Sequence, residues 1–250
     1  MNQSRIFQSR ETLTTNQYAT LRTDSEPRIG APCVTCGAVR SGPFCSQCGQ
    51  RHVPGRQTLR GFAAGVIRRT VGEEGALVTV KQLAVRPGVM IRDYLAGGTV
   101  RYVHPATYLV LAAAVFALVS SAPGGATGAG EAERLFALLV IPIVAAACRL
   151  LFWRESFHYA EHLIAVTYLG AQALLLLALL YCGALLAPQA IVGWFAAASL
   201  VLSAAYFTWG YSQIFERRPL LAAGGALAAL LVGTAAWLGV TVAIVTLLRR

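Results

Sequence analysis

Four cysteines near the N-terminus carry the clearest chemistry in this 250-residue chain. Cys33 and Cys36 precede Gly37, Cys45 and Cys48 precede Gly49, and eight residues separate Cys36 from Cys45. A Cys-x-x-Cys turn lets two thiolates hold one ion, and the glycine after it supplies the backbone freedom to turn back under the sulfurs. Two such turns complete a tetrahedral set for one structural zinc ion, with Gly42-Pro43 reversing the spacer. A disulfide or a redox pair is the competing reading of a single motif. The doubled motif in a short polar segment favours metal, with iron as the other ion that takes this ligand set. Four protein ligands leave no position for water, so the site is structural rather than catalytic. Arg40, Arg51 and Arg56 lie close in sequence to offset the negative charge of four thiolates, and His52 reads as a surface histidine. Cys148 and Cys182 fall in apolar runs and read as inert thiols.

A second group of reactive side chains lies between two apolar runs, in RLLFWRESFHYAEHLI. His158, Glu161 and His162 match the H-x-x-E-H pattern, in which two imidazoles on one helical face bind zinc and the carboxylate serves as base. That second metal site needs a third protein ligand, and Glu216 is the only acidic residue further along the chain. The preferred reading is a polar network at the cytoplasmic interface. Arg149 near the end of one helix pairs with Glu161 near the start of the next, and Arg101 and Tyr102 lie on the same side.

The elements that position these groups follow from composition. Hydrophobic residues make up 56% of the chain and charged residues only 13%, against about 25% charged in globular proteins. Residues 1–105 carry 14 Lys+Arg and 6 Asp+Glu, while residues 106–250 carry 7 and 5. The chain is therefore a basic polar head on an apolar body, a mostly α membrane protein with a small four-cysteine zinc ribbon. Residues 1–30 read as a disordered tail, 31–52 as the ribbon, 53–104 as an amphipathic juxtamembrane connector and 105–250 as a transmembrane helical domain.

In the connector, Leu59, Phe62, Ala63, Val66 and Ile67 share one helical face bordered by Arg60, Arg68 and Arg69. A second helix is expected over 74–85, and a third begins at Pro87 and ends at Gly97-Gly98. Five spans are expected, over 107–122, 135–151, 163–187, 191–207 and 220–248. Arginines in the alternate loops place the N-terminus in the cytoplasm, although Arg249 and Arg250 would then lie outside. Gly225, Ala229 and Gly233 form a small-residue stripe suited to close helix packing, within one chain or in a homo-oligomer.

The order of these features resembles a family of bacterial membrane proteins of unknown function that carry an N-terminal zinc ribbon. The resemblance rests on the ribbon, on PGVMIRDYLAGGTVRYVHPATYLVL and on FHYAEHL, and it spans residues 33 to about 180. Its Pro-Gly, Tyr-Leu-x-Gly and Arg-Tyr-x-x-Pro elements fall at Pro87-Gly88, Tyr94-Leu95-Gly97 and Arg101-Tyr102-Pro105. Its Glu-His pair falls at Glu161-His162. The basic pair that usually follows the glycine is missing, because Gly98-Thr99-Val100 leaves Arg101 alone. The resemblance implies a bacterial inner membrane location and carries no activity.

The reading that results is non-enzymatic: a scaffold, sensor or assembly factor in the lipid bilayer whose ribbon contacts a cytoplasmic protein partner. Nucleic acid is not expected, since few aromatics interleave with the arginines and membrane apposition explains the basic charge. A membrane-embedded metal-dependent hydrolase and a channel or transporter component are the alternatives.

Overall fold

In the computed structural model, the residues described are 30, 32, 33, 35–39, 41–50, 58, 59, 62, 73–121, 131–153, 157–185, 189–215, 220, 223–228, 230–232, 235, 239, 242 and 246. Residues 1–29 of the tail expected over 1–30, Arg40, Arg51, His52, Arg56 and most of the amphipathic run 59–69 lie outside them. Six helices follow the cysteine segment: α1 (Glu73–Val85), α2 (Pro87–Leu95), α3 (Pro105–Ser120), α4 (Glu131–Leu151), α5 (Tyr159–Leu185) and α6 (Gln189–Ile214). Described residues between 220 and 246 are helical as well.

The chain divides into two units. One holds residues 1–104 with Gln213–Arg217, and the other holds Pro105–Ser212 with Arg218–Arg250. Within the first, α1 packs on α2. Arg86 separates them because a residue before proline is pushed out of the helical region, and Pro87 then occupies the first turn of α2, where a missing N–H costs nothing. At the other end of α2, Gly97 adopts φ +101°. Its N–H bonds Tyr94 O at 3.0 Å, and Gly98 N–H bonds Asp93 O at 3.0 Å. This pair of bonds is a Schellman cap, and it satisfies carbonyls that the helix end would otherwise leave open.

Thr79 ties α1 to the segment that leaves α2. Its hydroxyl donates to Gly75 O at 2.7 Å and accepts from the Val103 N–H at 3.0 Å. Gly88 meets the end of α6 so closely that an added Cβ would fall 2.4 Å from Gln213 Cβ. The Gly88 N–H also bonds Gln213 Oε1 at 3.1 Å. Phe62, in the helical turn begun at Thr58, sets its ring 5.1 Å from that of His104.

In the second unit α5 is central, with α3 and α4 both packed against it. Ile164, Tyr168 and Leu169 of α5 are fully buried. Tyr108 of α3 and Gln172 of α5 hydrogen-bond through hydroxyl and amide oxygen, a polar contact inside an apolar interface. Among the described residues, one helix, Tyr159–Gly183, is long and apolar enough to cross a membrane. The 16-residue α3 spans about 24 Å, short of the ~30 Å hydrocarbon layer. It begins at Pro105, two residues before the run expected from the sequence. A cavity of about 250 Å³ lies in this unit, and Ser203 is the one hydroxyl in its otherwise apolar lining.

Candidate metal centre and its surroundings

The two cysteine turns fold by the same rule. In the first, Cys33 N–H bonds Ala38 O at 2.8 Å and Gly37 N–H bonds Cys33 O at 2.9 Å. In the second, Cys45 N–H bonds Gln50 O and Gly49 N–H bonds Cys45 O, both at 2.9 Å. Gly37 and Gly49 take φ +77° and +68°, the left-handed conformation that glycine adopts without steric cost. An isolated antiparallel bridge, Pro32 to Val39, closes the first turn.

The four sulfurs lie within 4.8 Å of one another. The shortest approaches cross between the turns, Cys33 to Cys48 at 3.6 Å and Cys36 to Cys45 at 3.5 Å. A disulfide would bring sulfurs to about 2.05 Å, so these are thiols. A tetrahedral zinc ion with bonds of about 2.3 Å separates its sulfurs by about 3.8 Å, which this cluster matches. Cys33, Cys36, Cys45 and Cys48 could therefore hold a metal ion, and they fit a structural zinc site.

The backbone prepares the sulfurs unequally. N–H groups of Cys48 and Gln47 point at Cys45 and hold its thiol down to about 6. Burial works to raise Cys33, yet the N–H groups of Cys36 and Thr35 bring it below the usual thiol range. The second cysteine of each turn goes the other way. Burial raises Cys36 and pushes Cys48 up to about 12. In each turn the surroundings thus favour the thiolate at the first cysteine and the thiol at the second.

Gln50 stands directly behind the second turn and is buried, at 3% exposure. Its Oε1 accepts from the Thr35 hydroxyl at 3.0 Å and from the Val100 N–H at 3.1 Å. Its Nε2 donates to Gly97 O at 2.6 Å and approaches Thr99 Oγ1 at 3.4 Å. Sequence reasoning passed over this residue. Only its place one step beyond Cys48-Gly49 hinted at a role.

The H-x-x-E-H residues are not gathered in this way. Among the described residues, the cysteines are the only group of three or more His, Cys, Asp or Glu whose ligand atoms converge for a metal ion. His158 is exposed, while Glu161 and His162 are buried. Glu161 Oε2 accepts the His158 backbone N–H at 2.8 Å. His158 O in turn accepts from the N–H groups of Glu161 and His162. His158 is therefore the N-cap of α5, and Glu161 is the side chain that reaches back to it.

His162 sits in an aromatic stack. Its ring is nearly parallel to Tyr211 at 6.2 Å and lies 6.1 Å from Phe152, and its Nδ1 is 3.4 Å from the Tyr211 hydroxyl. Gly225 gives that stack room, since an added Cβ would fall 2.4 Å from Phe152 Cζ. Ala229 and Gly233 of the same stripe lie outside the described residues. Arg149 is half-buried in the last turn of α4. In the other unit, the Arg101 guanidinium lies 5.7 Å over the buried Tyr102 ring, whose hydroxyl donates to Asp93 Oδ2 at 3.4 Å.

A family model described as a protein of unknown function, DUF3667, matches residues 73–117. The match takes in α1, α2 and most of α3, with Pro87-Gly88, Gly97 and Arg101-Tyr102 inside it. Comparison with curated proteins gives no match, and comparison with solved structures gives none either.

Proposed function

We propose that this chain is a multi-pass protein of the bacterial inner membrane with a zinc-bearing head on the cytoplasmic side. It acts as a scaffold, sensor or assembly factor that recognises a protein partner, without catalysis of its own. The observation that carries this reading is the closed set of four sulfurs. Four protein ligands complete a tetrahedral ion and leave no site for water or substrate, so the ion stabilises a small module. The long apolar α5, the basic front half and the arginine-bearing loops support the membrane setting and the orientation.

The rival readings draw less support. A hydrolase built on His158, Glu161 and His162 would need the first and last of these to face one ion, whereas one is exposed and the other lies inside an aromatic stack. A channel or transporter would gain from a polar path, and the cavity in the helical unit is lined almost wholly by apolar groups.

Metal content per chain in detergent-purified protein tests the proposal. One zinc is expected, lost in Cys33→Ser/Cys36→Ser and retained in His158→Ala/His162→Ala. A second metal that survives the cysteine variant and disappears with the histidines would overturn the reading and make the protein an enzyme candidate.

A further inference from the structure

We propose that Gln50 couples the four-sulfur site to the loop Gly97–Val100, so that binding a metal ion orders the loop and losing it releases the loop. The inference rests on the metal-site reading above and adds a consequence to it. One buried residue touches three places at once. Its backbone oxygen closes the second cysteine turn by accepting the Cys45 N–H at 2.9 Å. Its amide oxygen accepts from Thr35, inside the first turn, at 3.0 Å. The same oxygen and the amide nitrogen then bond Val100 N–H at 3.1 Å and Gly97 O at 2.6 Å, 50 and 47 residues further along.

The chain between Cys48 and Gln50 is a single glycine held at φ +68°. An ion that grips Cys45 and Cys48 therefore sets the position of the Gln50 backbone. Without the ion that hold is lost, and the part-buried Val100 N–H and Gly97 O give up their bonds to the Gln50 amide. The loop follows the helix cap at Gly97 and holds a Thr99 N–H to Gly97 O contact at 2.7 Å. Metal occupancy is in this way transmitted to the C-terminal end of α2. By linkage, an ordered loop strengthens metal binding by the same factor.

Hydrogen exchange read by mass spectrometry on the full-length, detergent-solubilised protein tests the coupling. Zinc-loaded, chelator-stripped and zinc-restored samples are compared with Gln50→Ala and Gln50→Glu, the second keeping the acceptor oxygen but losing the Nε2 donor. Amides over residues 97–103 should exchange at least about tenfold faster after stripping, and recover when zinc ion alone is added back. Both variants should show the faster exchange while still holding one zinc, with amides of residues 159–183 unchanged as the sign of an intact fold. Loop exchange that ignores stripping overturns the proposal, as does a variant that keeps zinc and keeps the loop protected. Loss of zinc in a variant whose loop stays protected overturns it too. A chain that binds no metal at all refutes the metal-site reading, whereas a chain that binds zinc with an indifferent loop refutes the coupling alone.

Discussion

The carboxylate of Glu161, in the first turn of α5, accepts a 2.8 Å hydrogen bond from the backbone N–H of His158, the N-cap three residues earlier. The bond satisfies an amide that the helix itself cannot, at the start of the one helix among the described residues that is long and apolar enough to cross a membrane. Glu161→Ala should cost about 1 kcal/mol of stability in detergent, and Glu161→Gln, which keeps an acceptor oxygen, should cost less. A cycle with Arg149→Gln separates capping from ion pairing. Additive effects support the cap alone, whereas coupling between the two sites supports the Arg149–Glu161 pair expected from the sequence.

Gly88 is held by contact with the chain around Gln213, not by an unusual backbone. A methyl group there would come within 2.7 Å of Gln213 C and Ile214 N, atoms that cannot turn aside. Gly88→Ala should lower stability by roughly 1–3 kcal/mol, as overpacking does, and should weaken the Gly88 N–H bond to Gln213. Thermal unfolding followed by tryptophan fluorescence would register the loss. Wild-type stability in that variant would mean the α2–α6 contact is not as close as described.

Gly225 opposes a side chain, so its substitution can be relieved. Gly225→Ala presses on the Phe152 ring at 2.4 Å and should destabilise the aromatic stack around His162. Shortening the ring in Phe152→Leu opens a cavity and destabilises as well. Combined, the two should cost clearly less than their sum, by at least about 0.5 kcal/mol, because the methyl group enters the space that the ring vacates. Strict additivity would show that the two sites do not touch.

The glycines of the cysteine turns make a prediction about metal affinity. Nothing lies within 4 Å of a Cβ at Gly37 or Gly49, so only backbone strain opposes a side chain there. Gly37→Ala or Gly49→Ala should weaken zinc binding roughly 5- to 30-fold, the equivalent of one residue forced into the left-handed region. Competition with a chromophoric chelator measures it. Gly42→Ala, where φ is not positive, serves as the control and should leave affinity unchanged.

How much of this was readable in the sequence depended on range. The cysteine turns were legible because their chemistry lies within five residues and the glycines carry the required backbone. The α1–α2 break at Arg86-Pro87 and the cap at Gly97-Gly98 were legible for the same reason. Gln50 was not, since its partners Gly97 and Val100 come close only once the cysteine turns and α2 have folded. The H-x-x-E-H pattern presumes that all five residues are helical. His158 is instead the N-cap, so the spacing that puts i and i+4 on one face does not apply to it. The burial of His162 depends on Phe152 and Tyr211, which no local pattern links to it. The described residues of the segments expected over 107–122, 135–151, 163–187 and 191–207 are helical but for Ser121, and α3 is as long as its expected run while starting two residues earlier, at Pro105.

The hydrogen bond between Tyr108 and Gln172 has a consequence for how the chain is made. The two residues are 64 positions apart, so α3 leaves the ribosome well before α5 exists. In a hydrocarbon setting, a tyrosine hydroxyl on a 16-residue helix has no water to turn to, which makes the early helix a poor lodger until its partner arrives. Once α5 enters, the amide fixes which turn of one helix faces which turn of the other, because a slide of one turn would strand both groups. On the proposed membrane reading, the order of synthesis thus becomes an order of commitment: α3 waits, and α5 decides where it stays.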